Sequence, residues 1–117
     1  MTAESAPRLL RLRIDLPGGR IGPGKIALLE AIAREGSISA AGRALGMSYR
    51  RAWELVDALN KLAGTAVVAA SPGGARGGGA TLTEAGRSLV ADYRAIERAA
   101  DRAARPRLSA LLARTAR

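Results

Sequence analysis

The residues in this chain best suited to chemistry are arginines. Arg50 and Arg51 follow Ser48 and Tyr49 in "GMSYRRAWEL", and Arg76 stands alone inside the glycine run "PGGARGGGA". A guanidinium presents a planar fork of donors that matches guanine edges and phosphate oxygens, so this pattern points to an anionic, hydrogen-bonding partner rather than to a reaction. The chain has no histidine and no cysteine. Imidazole acid–base catalysis, thiolate chemistry, disulfides and the usual zinc sites are therefore outside its means. Its aspartates, glutamates, serines and lysines form no recognisable acid–base or nucleophile constellation, so the expectation is a protein that is not an enzyme and needs no cofactor or metal.

The whole chain of 117 residues carries a formal charge of +9. Such a balance favours nucleic acid as partner. The excess is unevenly placed: residues 87–117 hold eight arginines against three acids, whereas residues 20–86 hold eight Lys/Arg against five. Charge alone therefore does not locate a binding face. Nearly half the residues are apolar but Phe is absent, which suits a core of close-packed Ala, Leu, Ile and Val. There is no apolar run of about 18 residues to span a membrane and no signal-peptide block, so a cytoplasmic protein is expected.

The elements that must position the arginines follow from periodicity. "LLRLRIDL" alternates as a half-buried strand, with Leu10, Leu12, Ile14 and Leu16 on one side. "PGGRIGPG" breaks the chain before a helix over 24–35 with Ile26, Leu29, Ile32 and Ala33 on its inner face. Ser37 is a candidate N-cap for a short helix through Leu45, and Ser48 for a third helix to about Ala63 with Tyr49, Ala52, Trp53, Val56 and Leu59 inward. That register turns Ser48, Arg50, Arg51 and Glu54 outward. "TAVVAAS" and "ATL" read as two strands around the glycine loop. A fourth helix is capped by Thr81 or Thr83, carries Leu89, Tyr93, Ile96 and Ala100 inward, and is interrupted at Pro106.

Tight joining of the second and third helices, with Gly46 in the turn and Ala40, Ala41, Gly42 and Ala44 at the contact, is the geometry of a helix-turn-helix. The fold class is thus mainly α: a winged helix-turn-helix with a two-stranded wing, an N-terminal strand and a long C-terminal dimerisation helix. Residues 1–104 form that domain and residues 105–117 a basic tail, either flexible or a short helix. The expected DNA-facing residues are Ser37, Ser48, Tyr49, Arg50, Arg51 and Arg76; the expected dimer stripe is Leu89, Tyr93 and Ile96. For each there is a plainer reading: solvated arginines on a helical hairpin, a slack glycine loop, and a stripe packed on its own domain.

"KIALLEAIAREGSIS", "AAGRALGMSYRRAW" and "GGARGGGATLTEAG", in that order, resemble the N-terminal DNA-binding domain of the molybdate-responsive regulator family, ModE, and more distantly the LysR-type winged helix. The resemblance covers roughly residues 8–104. Ser48, Tyr49, Ala52 and Trp53 are its most specific residues, with Leu82 and Thr83 after the wing. It implies a homodimer on a palindromic operator near molybdate-transport or molybdoenzyme genes. Family members bind molybdate through a C-terminal domain, for which "RPRLSALLARTAR" is too short, so no molybdate binding is expected from this chain alone. The rival expectation is a protein- or RNA-interaction module on the same fold. Placement of Arg50, Arg51 and Arg76 on one face separates the two.

Overall fold

A computed structural model describes residues 9–71 and 78–115. Its elements are β1 (Ile14–Leu16), β2 (Gly19–Ile21), α1 (Pro23–Glu35), α2 (Ile38–Ala44), α3 (Tyr49–Ala63), β3 (Val68–Ser71), β4 (Gly79–Leu82) and α4 (Glu84–Thr115). The architecture is the expected one: three packed helices, an antiparallel two-stranded wing pairing Val68 with Leu82 through Ser71 with Gly79, and a long final helix.

The N-terminus departs from the expectation of one strand over residues 9–16. Only Ile14–Leu16 are extended, and they fold back on Gly19–Ile21 as a small hairpin. The reason lies in the Pro17-Gly18-Gly19 turn. Gly19 has φ 145°, and a Cβ on Gly18 would lie 3.3 Å from the Leu62 backbone, so the turn tucks against the end of α3 where a side chain would not fit. Leu16 is consequently exposed, not buried.

α1 is the centre of the molecule. Ile26, Leu28, Leu29, Ala31 and Ile32 are all fully buried, because α2, α3, α4 and β4 pack around it on several sides. Leu28 and Ala31 join the inner face, and Ala33, expected there, is exposed. Pro23 sits at the first turn, where its missing N–H costs nothing. Gly36 ends the helix at φ 81° with its N–H on Ile32 O. The wing is tied to this point, since Ala80 N donates to Gly36 O at 2.7 Å.

Thr83 caps α4: its hydroxyl accepts from Gly86 N at 3.1 Å and donates to Ala66 O at 2.7 Å. A Cβ on Gly86 would lie only 2.2 Å from Val67 O, so α4 starts flush against the wing backbone. Tyr93, expected in a dimer stripe, is instead buried in the domain's own core with Ile21 and Ile26, and its hydroxyl donates to Leu12 O at 2.6 Å. Leu89 is half-buried in the same region, while Ile96, expected inward, is exposed. Pro106 does not interrupt α4, which runs on to Thr115. Pro106 and its neighbours Arg102, Arg105 and Arg107 are exposed, on a stretch from Arg98 to Thr115 in which no residue is buried, so water can meet the group left without its bond.

Candidate nucleic-acid interface

α2 and α3 meet through small residues. Ala41 and Gly42 on α2 are buried, as is Ala52 on α3. A Cβ at Gly42 would touch the Ala52 Cβ and Met47 O at 3.4 Å. Gly46 takes φ 70° in the joint, and Met47 N reaches back to Gly42 O at 2.9 Å, which fixes the angle at which α3 leaves. Both helices begin on the expected serines. Ser37 Oγ accepts from Ala40 N and Ser48 Oγ accepts from Arg51 N, each at 3.0 Å. Each cap uses an acceptor lone pair and leaves the hydroxyl proton to donate outward.

The buried stripe of α3 is narrower than expected. Ala52, Val56 and Leu59 are buried, but Tyr49 is 57% and Trp53 44% exposed. The first turn of α3 packs on α2 through the buried Ala52, while Tyr49 and Trp53 lie on the flank of the helix that faces the wing rather than the core. They pack edge-to-face on each other, centroids 6.4 Å apart, and line one wall of an open groove closed on the other side by the wing strands. Asn60 holds the wing to this helix by accepting from Val67 N at 2.9 Å.

Ser48, Tyr49, Arg50 and Arg51 thus come together, all exposed, at the N-terminal end of α3. Ser37, half-buried, caps the neighbouring α2. Arg76 lies outside the described residues. The charged residues of α3 are internally paired: Arg50 Nε lies 3.5 Å and Arg51 Nη1 3.7 Å from the two oxygens of Glu54, and Lys61 Nζ lies 3.0 Å from Asp57. At the N-terminus of α3 the charges run against the helix dipole, although Lys61 suits it in the last turn. No acid lies in the first turn, where the backbone N–H groups already concentrate positive charge, yet two arginines do. α4, by contrast, has Glu84 in its first turn and Arg114 in its last.

A second arginine cluster was not foreseen. Arg94 Nε and Nη2 donate to both oxygens of Glu30 on α1 at 3.0 and 2.7 Å, and its Nη1 donates to Glu97 at 2.7 Å. The hydrogen bonds to Glu30 push the guanidinium above its ordinary range; burial opposes this, and Glu97 adds to the rise. The spacing of Arg94 and Glu97 is legible in the sequence, but Glu30 lies 64 positions away. Among the described residues no group of three or more Asp, Glu, His or Cys is placed to hold a metal ion, and no helix is long and apolar enough to cross a membrane.

Residues 24–87, which include both helices of the joint and the wing, match the family "Bacterial regulatory helix-turn-helix protein, lysR family". The chain belongs to this lysR family. Among relatives of this lysR-family chain is the molybdenum-pterin-binding protein MopB of Rhodobacter capsulatus, 54% identical over 84 residues, covering 72% of this chain and 31% of MopB. The molybdenum transport protein ModE of Azotobacter vinelandii is 44% identical over 90 residues, covering 76% of this chain and 33% of that protein. The chain spans about a third of the length of these relatives. Among solved structures, the crystal structure of the CbnR DNA-binding domain in complex with DNA superposes with a TM-score of 0.58 at 27% identity, covering 74% of this chain and 95% of that one. The ModE-like pattern around Ser48–Trp53 is therefore carried on a lysR-type helix-turn-helix.

Proposed function

We propose that this chain is a transcriptional regulator that binds double-stranded DNA sequence-specifically, with α3 in the major groove. The observation that carries this is the pair of exposed arginines in the first turn of α3, set against the positive end of the helix dipole and on the face opposite the buried Ala52, Val56 and Leu59. For stability alone the first turn would carry acids. For DNA, the first turn of a recognition helix is where base edges come within reach. Ser37 and Ser48 supply phosphate donors beside it, Tyr49 an apolar edge, and Arg76 a wing contact. The relatives' names support regulation in molybdenum metabolism, and a DNA target is consistent with the expected cytoplasmic location.

We further propose a homodimer formed along α4. α4 exposes Ile96, at 49%, where the helix packs on the domain, and Leu111 and Leu112, at 55% and 45%, on the stretch from Arg98 to Thr115 in which no residue is buried. Two-fold pairing covers those residues and sets two α3 helices about 34–36 Å apart, or a multiple of that, which calls for an inverted-repeat operator.

The test is selection of binding sites from random duplexes, followed by affinities for Arg50→Ala and Arg51→Ala. A base-reading arginine costs about 1–3 kcal/mol of specific binding and relaxes one operator position, whereas a phosphate-binding one weakens all sequences alike and flattens the salt dependence. If neither change alters affinity for the selected site, α3 is not the reading helix. Ile96→Asp, sized by ultracentrifugation at micromolar protein, is expected to shift a dimeric parent to monomer and to abolish the preference for the inverted repeat over a half-site. A monomeric parent with no such preference refutes the dimer.

A further inference from the structure

On its own outward face α3 carries little net charge. Arg50, Arg51 and Lys61 are offset by Glu54 and Asp57 to a net of +1, although the chain as a whole is strongly basic. A helix built only to attract phosphate would omit those acids, since each one repels the DNA backbone. Glu54 is the more telling of the two. Asp57 pairs with Lys61 one turn further from the N-terminus, whereas Glu54 reaches both arginines of the first turn at 3.5 and 3.7 Å. Neither pair secures the fold. The side chains of Arg50, Arg51 and Glu54 are 90%, 60% and 53% exposed, and exposed pairs of this kind add little to stability. Their order, base before acid at i and i+4, is also the weaker one for a helix.

We infer that Glu54 is a specificity-determining residue of the α3 surface, disfavouring non-cognate DNA and accepting a hydrogen bond from a cytosine N4 amino group at the cognate site. This rests on the DNA-binding reading of α3. In the free protein the carboxylate lies within ion-pair distance of both guanidiniums, so a duplex that takes up the arginines competes with it for them. Guanine O6 and N7 replace it with a bidentate acceptor; a bare phosphate does so only while bringing its own charge towards Glu54. Once the arginines move, the carboxylate needs donors, and in the major groove a carboxylate is satisfied by the cytosine amino group. Glu54 lies one helical turn from Arg50, a rise of about 6 Å, close to two base-pair steps along the groove. Arginine on guanine with glutamate on a neighbouring cytosine is a combination this spacing permits.

The experiment compares the parent with Glu54→Gln, which keeps size and hydrogen-bonding capacity but removes the charge, and with Glu54→Asp, which keeps the charge. Affinities are measured for the selected operator and a scrambled duplex of equal length, across about 50–200 mM salt. For Glu54→Gln, binding to the scrambled duplex is expected to tighten several-fold and the operator-to-scrambled ratio to fall about tenfold, with one G·C position of the operator relaxing on reselection. Glu54→Asp is expected to retain most of the ratio. An unchanged ratio, or equal tightening on both duplexes, overturns the inference while leaving α3 as the reading helix. A parent that selects no sequence at all overturns both. Because the site is exposed, an unchanged melting temperature checks that each variant is folded.

Discussion

The molecule contains two arginine–glutamate clusters of opposite design. At the α1–α4 contact one arginine, Arg94, is shared by two acids, with hydrogen bonds of 2.7–3.0 Å and only 22% of its side chain exposed. At the tip of α3 two arginines share one acid, at 3.5 and 3.7 Å, in open solvent. The first arrangement commits all three nitrogens of the guanidinium to carboxylates and joins residues 64 positions apart. The second joins residues within one helical turn and leaves most donors of both guanidiniums facing outward. The same side chains thus form a clasp where the contacts are short and burial removes competing water, and stay open to solvent, as the proposed DNA contact requires, where the pairs are longer and wet.

The clasp depends first on where α4 begins, so Gly86→Ala is expected to have the largest effect. With a backbone oxygen 2.2 Å from the new methyl group, α4 must lift off the wing, at a cost of about 3 kcal/mol, read by chemical denaturation. Stability equal to the parent's would show that the α4 contact is not a rigid base. Arg94→Met comes next. It removes three charge-assisted hydrogen bonds to Glu30 and Glu97 and is expected to lose on the order of 2–3 kcal/mol. A change confined to a few tenths of a kcal/mol would make this cluster no different from the exposed one.

Arg50→Ala and Arg51→Ala are expected to have the smallest effect on folding. The same proteins that lose operator binding should keep their stability within about 0.5 kcal/mol, with any shift towards higher stability, because a cation is removed from the positive end of a helix. A marked loss of stability in either variant would merge the two clusters into one structural class and weaken the case for α3 as a ligand-binding surface.

The local rules were legible in the sequence. Serine caps at Ser37 and Ser48, the glycine stops at Gly36 and Gly64 and the turn glycine Gly46 all depend on a few neighbouring residues, and each lies where periodicity and capping place it. The outward register of Arg50, Arg51 and Glu54 was legible for the same reason: 3.6-residue periodicity fixes a face once Ala52, Val56 and Leu59 are known to be apolar. Tyr49 and Trp53 were misread as core because periodicity sees an apolar side chain but not whether anything stands opposite it.

Tertiary structure alone decided the rest. Whether Tyr93 faces a partner or its own core depends on Leu12, which lies 81 positions away and accepts its hydroxyl hydrogen. Whether Pro106 ends α4 depends on what surrounds that turn; in open solvent water can meet the carbonyl the proline leaves without its N–H partner, and the helix continues. Glu30 reads in the sequence as one more polar residue on α1, and becomes the anchor of α4 only when Arg94 is folded against it. Capping, turns and helix faces are set by neighbours in the chain, so the sequence by itself determined them. Burial and long-range pairing are set by neighbours in space, and one chain read in order does not contain that information.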